Sequence, residues 1–228
     1  KFVLSQDAEV HPIREELDRA FVAKLAALVE DCTRDFENYE YARVLQETES
    51  FFWSQFTDTY LELAKVRARL FADGDTAAAE ASGSAVASLR LGLSVLLRLL
   101  APVLPYITEE VWSWAFAKES GHASIHGAPW PGPADFEGSA PPDSESSFEL
   151  ALAAHAAINK AKADGEVSMG REVTSLTLVG RAEDLAALAP VLDDVLAGTR
   201  VASHDTAEEA LPEAGTFEAR DAVFAPRS

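Results

Sequence analysis

The densest apolar stretch of the chain runs from Leu89 to Trp114. From Leu91 to Leu100, the positions Leu91, Leu93, Val95, Leu96, Leu97, Leu99 and Leu100 cover more than half the circumference of a helix. That pattern predicts a rod buried on several sides at the centre of a bundle. The rod is too short, and too interrupted by Arg90 and Arg98, to cross a bilayer. Pro102 ends it, since proline lacks the N–H and clashes with the preceding turn. Beyond Pro105, Thr108 is placed to cap a second helix, with Glu109 and Glu110 at its positive end. Trp112 and Phe116 then lie one turn apart and fold back on the first helix.

The same periodicity predicts two earlier helices. Leu17, Phe21, Leu25, Leu28 and Cys32 mark one face of a helix from about His11 to Phe36. Pro12 stands near its start, and Glu15, Glu16 and Asp18 favour its first turn. A long helix follows from about Glu40 to Ala72, its apolar line drawn through Tyr41, Leu45, Phe52, Phe56, Leu63, Val66 and Leu70. Phe51 and Trp53 leave that line, so this helix packs on two sides. Asp73–Gly83 reads as a turn, and Lys1–Ser5 as the end of a helix entering from a preceding domain.

From Ala117 to about Ser147 the chain is rich in Gly, Pro and Ser, with Trp130 as a plug that packs a returning loop onto the bundle. After Phe148 the pattern changes to an alanine-rich helix (149–164), a strand (173–180), a helix (182–198) and short strands near 199–203 and 215–224. The fold class is therefore mainly α, an antiparallel helix bundle followed by a small α+β domain. The boundaries are 1–131 for the bundle, 132–147 for the linker and 148–228 for the C-terminal domain. The abrupt start and ragged end read as a fragment of something longer.

Composition adds two constraints. A single cysteine, Cys32, excludes an internal disulfide and a Cys-based metal site, and with no leader or spanning segment in the sequence a reducing cytoplasm is the expectation. The net charge of −19 is the wrong sign for a general polyanion binder, so any nucleic-acid contact must come from a local patch. Charge alone favours an acidic helical protein-interaction module. His122 and His126 are four apart, but Gly, Ser and Pro around them argue against a helix and no third ligand is near. No Gly-rich phosphate loop, nucleophile elbow or catalytic constellation is found, so no catalytic and no metal-binding residue is expected.

Three stretches carry a family resemblance. The leucine-rich helix with APVLPYITEEVW (Ala101–Trp112), the returning SIHGAPWP (Ser124–Pro131), and YLELAKVRARLF (Tyr60–Phe71) together resemble the anticodon-binding region of class I aminoacyl-tRNA synthetases. Within that class the chain looks most like the valyl enzymes; the isoleucyl and leucyl enzymes share parts of the pattern. INKAKADGEVSMGREV (Ile158–Val173) is similar to the segment that follows the valyl bundle. Two features depart from the family: Gly127 stands where a longer side chain is usual, and no coiled-coil arm is visible. The signature motifs of class I catalysis are absent from these 228 residues.

The resemblance implies a helical anticodon-binding bundle, with valine tRNA and the parent's own catalytic domain as partners, in a monomer that touches no membrane. ATP and Mg²⁺ would belong to that catalytic domain, and no cofactor to this part. Candidate RNA contacts are Lys65, Arg67 and Arg69, three cations within five positions, though their spacing also fits a solvated, salt-bridged face. Arg90 and Arg98 lie on a polar seam, either snorkelling to the surface or aimed at a partner. Trp53, off the main stripe, is the candidate ring for stacking on an unpaired base, against a core role for the aromatic run as a whole. Lys160, Lys162 and Arg171 form the basic cluster of the second half, with ordinary surface charge as the alternative.

Overall fold

The computed structural model describes residues 11–69 and 76–226. Lys1–Ser5 and Leu70 lie outside the described residues. The chain divides into two compact units, Lys1–Leu61 with Arg67–Pro141 and Glu62–Val66 with Pro142–Ser228. The stretch 132–147, expected to be a linker, is therefore shared out. Its first part holds a 3₁₀ turn at Pro133–Phe136, where Asp135 accepts from the backbone N–H of Gly132 at 2.9 Å and pairs with Arg98.

The first unit is a helix bundle. Its elements are α1 (Glu16–Glu37), α2 (Tyr41–Ser50), a π-helical run (Phe51–Tyr60), α3 (Leu61–Arg69), α4 (Thr76–Leu100), α5 (Pro105–Ala115) and the single turn α6 (Ala117–Ser120). The five apolar positions read for α1, Leu17 to Cys32, are all buried. Phe21 is the hub: its ring stacks on Tyr60 at 3.9 Å and lies 5.7 Å from Phe56 and 6.0 Å from Phe51. Helix α4 reaches this cluster through Gly92. A Cβ there would sit 2.9 Å from Phe56 and 3.0 Å from Phe21, so only a hydrogen fits.

Four local expectations are corrected. Helix α1 begins at Glu16, past Pro12, because the hydroxyl of Ser84 accepts from the N–H groups of Arg14 and Glu15 and holds that segment outside the helix. Thr108 does not cap α5. It lies inside the helix, buried, and its hydroxyl donates back to the carbonyl of Leu104 at 2.8 Å, while Pro105 takes the first helical turn. The turn expected up to Gly83 is helix from Thr76 onward, as the alanines of 77–79 favour. The apolar line through the long helix is rotated. Val44, Thr48, Phe51, Phe56, Tyr60, Leu63, Ala64 and Ala68 are buried, whereas Tyr41 is exposed and Leu45, Phe52 and Val66 only half-buried. An i→i+5 winding takes up more residues per turn than an α-helix, so the 3.6-residue template loses phase across Phe51–Tyr60.

The elbow folds as read. Leu97, Ala101, Trp112, Phe116 and Ile125 form one buried cluster, and the indole N–H of Trp112 donates to the carbonyl of His122 at 2.9 Å. Glu109 accepts from the hydroxyl of Ser124 and the N–H of Ile125, tying the returning loop to α5. Trp130 packs 5.0 Å from Phe36 and donates to the hydroxyl of Thr33. Helix α4 is longer than its leucine-rich half. Ala78–Leu100 is long and apolar enough to cross a membrane by length and composition, but 67% of its most apolar window is buried inside the protein, as in a core helix.

The second unit combines α7 (Ser147–Asp164) and α8 (Ala182–Thr199) with a three-stranded sheet of β1 (Val173–Gly180), β2 (His204–Glu208) and β3 (Glu218–Phe224), ordered β2-β1-β3. Strand β1 pairs in parallel with β2 across the α8 crossover and antiparallel with β3. The strand expected at 199–203 is displaced to 204–208. Thr199 still belongs to α8, Arg200 turns the chain at φ +57°, and Val201 makes a single bridge to Val173.

Candidate functional site

The six candidate residues do not form one patch. Arg67 is a half-buried structural cation. Its guanidinium grips both oxygens of Asp18 at 2.7 and 2.8 Å and donates to the carbonyl of Ala81. Asp18, in the first turn of α1 as expected, is fully buried and also accepts from the hydroxyls of Tyr60 and Ser84, each at 2.6 Å. Burial and the Asp18 charge push the Tyr60 hydroxyl well above its ordinary pKa, so it stays a neutral donor. Every oxygen lone pair of Asp18 is thus engaged, the condition under which a buried charge is tolerated.

Arg98 and Arg90 are likewise committed. Arg98 is buried and forks onto Asp135, the shorter contact 2.5 Å. One guanidinium nitrogen of Arg90 donates to both carboxylate oxygens of Glu119, at 2.6 and 2.7 Å, and its guanidinium carbon lies 5.5 Å from the centre of the Phe116 ring. Both arginines clamp the α5–α6 region and the returning loop onto α4. Lys65, among the residues counted with the second unit, pairs with Glu62 one turn back. Arg69 is exposed. Of the second basic cluster, Lys162 is fully buried and donates to the carbonyls of Met169 and Thr199, capping the C-terminus of α8. Burial lowers its pKa, with the charge of Arg200 adding to the shift. Arg171 donates to the carbonyl of Pro226, and Lys160 is exposed.

Trp53 is different. It is 56% exposed, its ring edge-on to Phe52 at 5.0 Å, and it stands at the mouth of an apolar groove of about 460 Å³. Leu45, Glu49, Phe52 and Trp53 form one wall, Leu93, Leu97 and Leu100 of α4 the floor, and Val103, Leu104, Ile107 and Val111 the other wall. Val103, Leu104 and Ile107 are each about half exposed (45%, 45% and 58%). The wall at 103–111 was not read from the sequence. Its signal was the elbow itself: Pro102 and Pro105 bracket two apolar residues that no helix buries.

The groove holds two polar side chains, and they are unlike. Thr108 has donated its hydroxyl to its own helix, whereas Glu49, exposed at the rim, has no hydrogen-bond or ion-pair partner among the described residues. A second hollow, about 620 Å³, lies between α1 and α2 and is lined by Lys24, Asp31, Arg43, Gln46, Glu47 and Gln55 among others. Among the described residues there is no group of three His, Cys, Asp or Glu that could hold a metal ion. Cys32 is buried against the hydroxyl of Thr48, and burial raises its pKa.

A family model described as the anticodon-binding domain of tRNA ligase matches residues 18–177, which takes in the whole of the groove. The chain belongs to that family. Among its relatives, the valine–tRNA ligase of Salinispora tropica is 43% identical over 215 residues, 88% of this chain and 24% of the relative. That of Salinispora arenicola is 41% identical, covering 93% of this chain and 26% of the relative. The valine–tRNA ligase of Thermobifida fusca is 40% identical over 88% of this chain and 22% of its own length. The chain thus spans about a quarter of these ligases. Among the described residues of this anticodon-binding domain, the groove at Trp53 is the one place where an expected RNA-contacting side chain is exposed beside an apolar hollow.

Proposed function

We propose that this chain grips the anticodon stem-loop of a valine tRNA, as the anticodon-binding part of a cytoplasmic, monomeric valine–tRNA ligase. The catalytic domain of that ligase, with ATP and Mg²⁺, joins valine to the acceptor end of the tRNA, and the present chain sets the distance and angle at which that end is offered. The reading is carried by Trp53, exposed over an apolar groove inside the span that matches the anticodon-binding family. Single-stranded RNA loops are recognised in this way, by splaying bases onto aromatic rings and reading their edges. The valine assignment, over the isoleucyl and leucyl alternatives, rests on the valine ligases above. Arg69 and Lys65 remain the phosphate contacts of this reading, whereas Arg67, Arg90 and Arg98 support the scaffold.

Binding of the 228-residue chain to valine tRNA and to a non-cognate tRNA, measured at low and at physiological salt, tests this. Preferential binding of valine tRNA that weakens as salt rises is expected. Equal binding of both would leave only a generic phosphate patch. No binding at low salt would favour the interaction-module reading, which draws on the −19 charge and the same apolar groove.

A further inference from the structure

We propose that Tyr60 is a positioning residue: by anchoring the π-helical winding of Phe51–Tyr60 it turns Trp53 out to the groove and Phe51 into the core. What Trp53 does once there rests on the anticodon reading above.

The winding decides which of two aromatic rings is exposed. Trp53 stands seven residues before Tyr60, close to two turns of an α-helix, so α winding would put both rings on one face. Phe51 stands nine residues before Tyr60, about two and a half α turns, so α winding would put it on the opposite face. The structure has the reverse arrangement. Phe51 and Tyr60 are both buried and both meet the ring of Phe21, whereas Trp53 is exposed. An i→i+5 turn takes up roughly one residue more than an α turn. Nine residues then make about two turns and seven about one and a half, which returns Phe51 to the face of Tyr60 and carries Trp53 away from it. Two bonds mark this winding. The N–H of Leu61 donates to the carbonyl of Phe56, and the hydroxyl of Thr59 donates to the carbonyl of Ser54, each five residues back.

A π-helical run is rare and has to be held. Tyr60 closes this one and is fixed twice. Its ring lies parallel to that of Phe21 at 3.9 Å, and its hydroxyl donates to Asp18 at 2.6 Å beside the hydroxyl of Ser88. Asp18 is in turn held by Arg67 and Ser84. The buried polar network thus sets the rotation of one end of the run, and the ring presented to the groove follows from it.

The test uses the 228-residue chain carrying Phe51→Cys. Thiol labelling at position 51 is read against native Cys32, which is buried and reports general opening of the bundle. Tyr60→Phe keeps the ring but loses the bond to Asp18, so labelling at position 51 should quicken roughly tenfold or more while Cys32 stays slow. In the chain with Phe51 intact, Tyr60→Phe should weaken binding of valine tRNA, toward the roughly five- to hundred-fold loss expected of a stacking ring withdrawn. Deletion of Gln55 should restore that binding. It leaves six residues between Trp53 and Tyr60, about one and two-thirds α turns, which keeps Trp53 outside under ordinary winding. Labelling that Tyr60→Phe leaves unchanged, or quickens equally at Cys32, overturns the proposal. So does an unchanged tRNA affinity, or a deletion that restores none of it. A native chain that binds no valine tRNA overturns the anticodon reading instead, and the two thiols still decide the winding.

Discussion

Two arginines only two residues apart can look interchangeable in a sequence and play opposite parts, because half a helical turn separates the faces they lie on. Arg67 faces Asp18 in a fully satisfied buried network, while Arg69 faces solvent. Arg67→Ala would strand Asp18, and should destabilise the fold by roughly 3–5 kcal/mol in a urea titration. A triple alanine variant at Lys65, Arg67 and Arg69 would therefore confuse lost folding with lost RNA binding, whereas Arg69→Ala isolates the surface charge. His155 on α7 gives a pH signature. Burial lowers its pKa, with Glu62 opposing the shift. The unfolded chain then takes up a proton at higher pH than the folded one, so stability falls as pH drops below about 6.5 and stops falling once the folded form titrates. His155→Gln should remove that part of the loss, seen as a smaller difference in Tm between pH 7.5 and pH 5.5.

At the scale of elements, close packing rests on single positions. Gly92→Ala should cost about 1–3 kcal/mol, since the added methyl meets the rings of Phe21 and Phe56 and α4 must back away; the urea midpoint reads it. Much of the helical architecture was legible because local rules and tertiary packing agree. The stripe on α1 is buried as read, and so is the Trp112–Phe116 return. The aromatic run was misread for a physical reason: the π-helical winding shifts the buried face by a fraction of a turn, which no fixed-period template can follow. The polar seam of α4 left two outcomes open, and long-range partners decided them. Glu119 lies 29 residues from Arg90 and Asp135 lies 37 from Arg98. Trp53 was legible as a residue off the stripe. Glu49 was not, because a lone surface carboxylate has no pattern until the groove beside it exists.

The molecule as a whole is acidic, yet belongs to a family named for binding an RNA loop. At −19, the long-range field of the chain repels a polyanion, so the proposed reading requires recognition by short-range contacts at the apolar groove. The division of the chain carries a second lesson. Leu63 and Ala64 are fully buried, and Glu62 and Leu63 approach Gly198 so closely that a Cβ there would lie 3.0–3.2 Å from them. These residues are counted with the second unit although first-unit sequence flanks them on both sides. Residues 142–228 expressed alone should thus be less stable than in the full chain by about 1.5–3 kcal/mol, the burial of one leucine, as amide hydrogen exchange can show. For inheritance the consequence is plain. A single crossover after Pro141 would hand a recipient gene a C-terminal unit missing a piece of its own core unless the recipient already carries a matching segment at positions 62–66.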